Sequence, residues 1–178
     1  EDLGVKKTNL PLLTVFTLAV LAGAFIGIGA LFATTLSAGS FSLKDATGTV
    51  VFTTTLPYGV TRLLAGLAFS LGLVLVVVGG AELFTGNTLI MITFMSRKVS
   101  LWGLLKNWSI VYIGNFVGAL LTALIVFLGK QYTFGNGAIG LSALNTGEAK
   151  TALTFIQAIA LGMMANALVC MAVWLCYS

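Results

Sequence analysis

The sequence predicts an all-α membrane protein, and three observations carry that prediction. Hydrophobic residues make up 58% of the chain and charged residues only 8%, a balance outside the range of soluble domains. Mean hydropathy is +1.07. The long apolar runs are interrupted by glycine rather than by charge. Residues 1–178 read as a single transmembrane domain with four spans, none of which resembles a cleavable signal peptide.

The first span is the uncharged run from Leu10 to Leu36, with Pro11 suited to the first helical turn, where its missing N–H costs nothing. The second, Leu63 to Met95, is the informative one. It starts as an ordinary membrane helix, then Gly79-Gly80 loosens it and a carboxylate, Glu82, follows. Phe84-Thr85-Gly86-Asn87 is expected to interrupt it. Only Thr88 to Met95 remains beyond, far short of a hydrocarbon core of roughly 30 Å. Non-helical backbone at that depth survives only inside protein or beside a watery cavity, so a broken span points to a solute pathway. Trp108 to Leu128 and Leu153 to Tyr177 complete the set.

Charge sets the orientation. Lys6, Lys7, Arg97, Lys98 and Lys106 fall on one side; Lys44, Arg62, Lys130 and Lys150 fall on the other, diluted by Asp45 and Glu148. The compact Arg97/Lys98/Lys106 group places the N-terminus in the cytoplasm. The basic residues sit at helix ends rather than in one patch, so no nucleic-acid partner is expected. Cys170 and Cys176 lie about 240° apart around one helix, which argues against an intrachain disulfide and leaves them as small packing residues. No metal or cofactor is expected. With no histidine, no nucleophile–base pair and no cofactor loop, enzyme chemistry and nucleotide binding have no support. Gly23-x-x-x-Gly27 and Gly114-x-x-x-Gly118 put small residues on one helical face, for contact either within a protomer or between subunits.

Three segments carry a resemblance to a known family. Gly80-Ala-Glu-Leu-Phe-Thr-Gly-Asn87 resembles the broken second helix of the formate/nitrite transporter family. Lys106-Asn-Trp-x5-Gly-Asn115 and Met164-Ala-Asn-Ala-Leu-Val-Cys-Met-Ala-Val-Trp174 agree in the next helix and the last. The similarity runs over essentially the whole chain. It implies an aquaporin-like helical bundle, a homopentamer with one pore per protomer, in a bacterial or archaeal cytoplasmic (inner) membrane. It also implies six spans in two inverted repeats. The chain would supply the first repeat (three spans, the second broken) plus the fourth span, with two further spans and a pore histidine expected beyond residue 178.

Residue roles follow from chemistry and resemblance together. A bare anion at the bilayer centre costs at least ~3 kcal/mol, so polar groups are needed where the helix breaks. Lys150 precedes the fourth span and is expected at an outer helix N-terminus, where the dipole favours anions; the plainer reading is a solvated lysine paired with Glu148. The family has a lysine here, which favours the pathway. Thr85 offers a hydroxyl at the break and resembles the family threonine that contacts the pore histidine, although it would equally cap the short half-helix. Asn87 is expected to cap the helix beginning at Thr88. Glu82 would repel an anion, so pinning the loop by accepting backbone N–H groups is its expected role. Leu73, Leu83, Phe69, Phe84 and Val169 match constriction positions in the family, where apolar rings close a pore by dewetting; by themselves they read as core. Asn166 is assigned to the pathway and Asn115 to helix packing.

The expected function is passive or proton-linked permeation of small monovalent weak-acid anions, formate first, with nitrite or hydrosulfide as alternatives within the family. An aquaporin-type channel for water or neutral solutes is the alternative of another class, but its Asn-Pro-Ala tripeptide is absent. A non-transporting scaffold would leave Glu82 and the break unexplained.

Overall fold

A computed structural model describes residues 2–39, 41–44, 47, 49–54 and 56–177; Asp45, invoked above for charge balance, lies outside them. Among the described residues, four helices are long and apolar enough to cross a membrane: α2 (Leu12–Ser37), α3 (Tyr58–Val78), α6 (Leu101–Leu128) and α8 (Phe155–Tyr177). Two further pieces, α4 (Phe84–Asn87) and α5 (Ile90–Met95), form the half-helix after the break. The boundaries shift from the expected ones for local reasons. Pro11 stands just outside α2, its carbonyl accepting the Val15 N–H. Pro57 sets the start of α3 in the same way. Helix α6 begins seven residues before Trp108 because the Ser100 hydroxyl caps it, accepting the Gly103 N–H at 3.1 Å.

Two helices, a 3₁₀ turn and a two-stranded ribbon have no counterpart among the elements expected from the sequence. Helix α1 (Asp2–Thr8) lies against α5 and α6. Helix α7 (Ala138–Thr151) follows a short 3₁₀ turn at Gln131–Thr133 and touches the end of α2. Strands β1 (Phe41–Lys44) and β2 (Val50–Thr54) pair antiparallel, with a bulge between Leu43 and Lys44, so a small β-ribbon joins α2 to α3 in an otherwise helical molecule.

The core is α2 against α3 and α6. Glycine makes that approach possible. A Cβ on Gly23 would overlap the Asn115 carbonyl, and one on Gly118 would overlap that of Val20. Gly27 faces Thr122, while Gly29 and Gly72 face one another between α2 and α3. Both glycine pairs singled out in the sequence therefore close contacts inside this chain. Val15, Ala19 and Val111 fill the α2–α6 seam; Ala22, Val76 and Ala81 fill the α2–α3 seam. Helix α8 meets the rest chiefly through α4, and only 6% of its most apolar stretch is buried, against 28% for α2.

Candidate functional site: a polar break in the second span

The second span breaks at Gly79–Leu83 and closes α3 with a Schellman motif. Gly80 takes the left-handed conformation (φ +62°) that glycine adopts without steric penalty. The Gly80 N–H reaches the Val77 carbonyl at 3.2 Å and the Ala81 N–H reaches that of Val76 at 2.9 Å. Ala81 and Val76 also make the apolar contact that accompanies the motif. Leu83 is extended (φ −98°, ψ 127°), and the half-helix starts at Phe84. The interruption therefore falls before Phe84-Thr85-Gly86-Asn87, because the Gly-Gly pair ends α3 and those four residues are themselves helical.

The backbone of the break is satisfied from two neighbouring helices. Glu82 donates its N–H to the Leu18 carbonyl of α2 at 3.2 Å. Asn115, halfway along α6, accepts the Phe84 N–H at 2.8 Å and donates to the carbonyls of Glu82 (2.9 Å) and Ala19 (2.8 Å). The half-helix thus lacks a capping side chain of its own and receives one from α6. Asn87 is not that cap. It lies inside the half-helix, buried at 1% exposure.

Glu82 is 3% exposed, and its carboxylate is met by side chains rather than by the expected backbone N–H groups. The Lys7 ammonium, from α1, donates to Oε1 at 3.0 Å, to Oε2 at 2.9 Å and to Asn87 Oδ1 at 2.9 Å. Asn87 Nδ2 donates to Glu82 Oε2 at 2.6 Å and to Asn107 Oδ1 at 3.0 Å. Trp108 Nε1 holds the Asn87 carbonyl at 3.0 Å. All three ammonium protons find acceptors, as a buried ion pair requires. The sequence marks Lys7 only as an orientation charge. Nothing local to Lys7 marks its partner, which lies 75 residues away.

A second polar group joins the half-helix to α8. The Thr88 hydroxyl donates to the Thr85 carbonyl at 2.6 Å and lies 3.1 Å from Cys170 Sγ; Asn166 Nδ2 donates to it at 3.4 Å. Asn166 Oδ1 is buried and accepts no hydrogen bond among the described residues. The Thr85 carbonyl and Asn166 therefore meet through the Thr88 hydroxyl, a residue with no distinguishing signal in the sequence.

The apolar candidates separate. Leu83 borders a cavity of about 350 Å³ together with Lys7, Gly86, Asn87, Ile90 and Val173. Phe84 turns instead to α6, edge-on to Trp108 and Tyr112 at 6.2 and 5.4 Å. Leu73 and Val169 are half-buried on α3 and α8, and Phe69 is 40% exposed. Lys150 is not at the N-terminus of the fourth span. It stands in the last turn of α7, because Ala138–Thr151 folds as a helix of its own and α8 begins at Phe155. It borders a wider cavity of about 630 Å³ that Arg62 also lines, and it makes no ion pair with Glu148, whose side chain two positions away points elsewhere on the helix.

Four apolar spans, one of them broken around an internally neutralised carboxylate, define a multi-pass α-helical membrane protein. The formate/nitrite transporter profile matches residues 1–178, and the chain belongs to that family. It is 44% identical to the formate channel FocA of Escherichia coli K12 over 179 residues, covering 100% of this chain and 58% of that protein. The FocA of Haemophilus influenzae is 35% identical, again over 58% of its length. A solved pentameric formate channel with formate bound superimposes with a TM-score of 0.77 at 39% identity, covering 94% of this chain and 60% of that one. The chain thus spans about three-fifths of the length of these relatives.

Proposed function

We propose that the protein conducts small monovalent weak-acid anions, formate foremost and linked to protons, across a cytoplasmic membrane. It does so as a homopentamer with its N-terminus in the cytoplasm. The observation that carries the reading is the neutralised break. Glu82 would repel an anion at membrane depth, but Lys7 cancels its charge within 3.0 Å, so the polar backbone is kept open without a net negative field. The similarity to FocA points to formate among the family's solutes. The unpartnered Asn166 oxygen, together with Thr85, forms the polar waist. Leu83 is the principal constriction, with Leu73, Phe69 and Val169 as the further apolar lining; Phe84, turned to α6, buttresses the half-helix instead. Lys150 and Arg62 draw anions to the outer mouth. The five cations Lys6, Lys7, Arg97, Lys98 and Lys106, gathered where α1 meets α5 and α6, support the orientation.

The test is flux into proteoliposomes made with the natural-length protein. Formate uptake should exceed that of protein-free vesicles and rise with an inward proton gradient. Osmotic swelling in glycerol without any formate, nitrite or hydrosulfide movement would overturn the proposal in favour of a neutral-solute channel.

A further inference from the structure

The geometry points to Asn115 as the positioning residue of the permeation path, a role that rests on the channel reading above. Asn115 does not reach the cavity beside Leu83; it acts through the backbone of Glu82 and Phe84. Two backbone groups at the break depend on it, the Phe84 N–H and the Glu82 carbonyl. The third partner, Ala19, sits mid-helix in α2 and uses its carbonyl within that helix as well, so that bond serves to hold the carboxamide in place. A carboxamide is suited to the position. One acceptor faces one N–H, and two donor hydrogens face two carbonyls.

The surrounding seam is shaped to bring that group within reach. Gly23 leaves no side chain where the Asn115 backbone passes, and Gly114 admits Ala19. A larger residue at either glycine would move Asn115 away from the break. Leu83 has no capping side chain to offer, so the direction in which it enters the half-helix, and with it the width of the opening it borders, is set from α6.

Two variants of the natural-length protein test this. Asn115→Leu deletes the carboxamide. Asn115→Asp keeps its shape and the Phe84 acceptor but turns a carboxylate oxygen toward two carbonyls. Loss of a buried partner should raise amide exchange across residues 79–88 roughly tenfold or more in both variants, measured by hydrogen-exchange mass spectrometry. Flux per assembled protein should change in selectivity, with acetate gaining on formate as Leu83 loses its fixed direction. A merely structural role would lower the yield and leave the formate-to-acetate ratio of the surviving protein unaltered. Wild-type exchange in either folded variant, or faster exchange with an unchanged ratio, overturns the inference. If the leucine variant fails to assemble, the near-isosteric aspartate variant decides. A wild type that moved no anion would reject the channel reading alone, since the exchange rates report the clamp without any flux.

Discussion

Two stretches of this chain, 143 residues apart, begin alike and end differently. Gly4-Val-Lys-Lys-Thr-Asn-Leu10 leads into α2, and Gly147-Glu-Ala-Lys-Thr-Ala-Leu153 leads into α8. Each closes a helix in the same way. The Thr8 hydroxyl donates to the carbonyls of Gly4 and Val5 at 3.1 and 3.0 Å; that of Thr151 donates to those of Gly147 and Glu148 at 3.1 Å. The lysines then part company. Lys7 is drawn in, with 23% of its side chain exposed, and its charge is cancelled by Glu82. Lys150 remains exposed beside a wide cavity shared with a second cation. Similar local sequence gives similar local structure, but the work of the charge is set by what it faces across the fold.

The largest effect that would break this contrast is at Lys7. Lys7→Met leaves the Glu82 carboxylate buried with the Asn87 amide alone, and removing one member of such a pair costs about 3 kcal/mol. The unfolding midpoint in detergent should drop accordingly. Adding Glu82→Gln should restore part of the loss, since no unpaired charge then remains. Lys150→Met should leave the midpoint where it is. Equal midpoints for the two methionine variants would erase the distinction between the lysines.

The adjoining spans sharpen the contrast at a smaller scale. Gly23 in α2 abuts the Asn115 backbone, so Gly23→Ala must push α2 and α6 apart and costs roughly 1–3 kcal/mol. Gly162 in α8 has nothing within 4 Å of an added Cβ. Gly162→Ala should be neutral or stabilise by up to about 1 kcal/mol through helix propensity. A thermal shift assay on both variants reads the difference. Destabilisation at Gly162 would mean that α8 is as closely embraced as α2.

How much of this was legible follows from which forces are local. The four spans were, because apolar length is a property of contiguous sequence. The break was too, because Gly79-Gly80 and a membrane-depth carboxylate are adjacent, although its position slipped by about four residues. The Schellman geometry uses the two glycines, and Phe84-Thr85-Gly86-Asn87 had no need to unwind. Partners were not legible. Lys7 meets Glu82, and Asn115 meets Phe84, across gaps of 75 and 31 residues, and nothing in their own neighbourhoods encodes the pairing. Helix α7 is not legible in the sequence because its residues are mildly polar and small and lack a strong apolar stripe. Missing it misplaced Lys150 from a helix start to a helix end. There the backbone dipole no longer adds to the lysine's attraction for an anion, and only its own charge is left.

That remaining attraction makes the smallest of these predictions, and the one that depends most on conditions. In water, a unit charge about 7 Å from an anion changes the local anion concentration about threefold at low ionic strength. At 0.01 M salt the screening length is ~30 Å, whereas at 1 M it is ~3 Å and the field no longer reaches the path. Lys150→Gln should therefore slow formate uptake about threefold in vesicles at the low salt and by almost nothing at the high. Arg62→Gln should behave in the same way, since both side chains border one cavity. The Lys7→Met/Glu82→Gln double variant should show no such salt dependence, because it removes both members of the pair and leaves the net charge of the break unchanged. A Lys150 variant with wild-type uptake at both salt concentrations would leave this lysine as a solvated helix end, and the two lysines would then differ only in that one is buried.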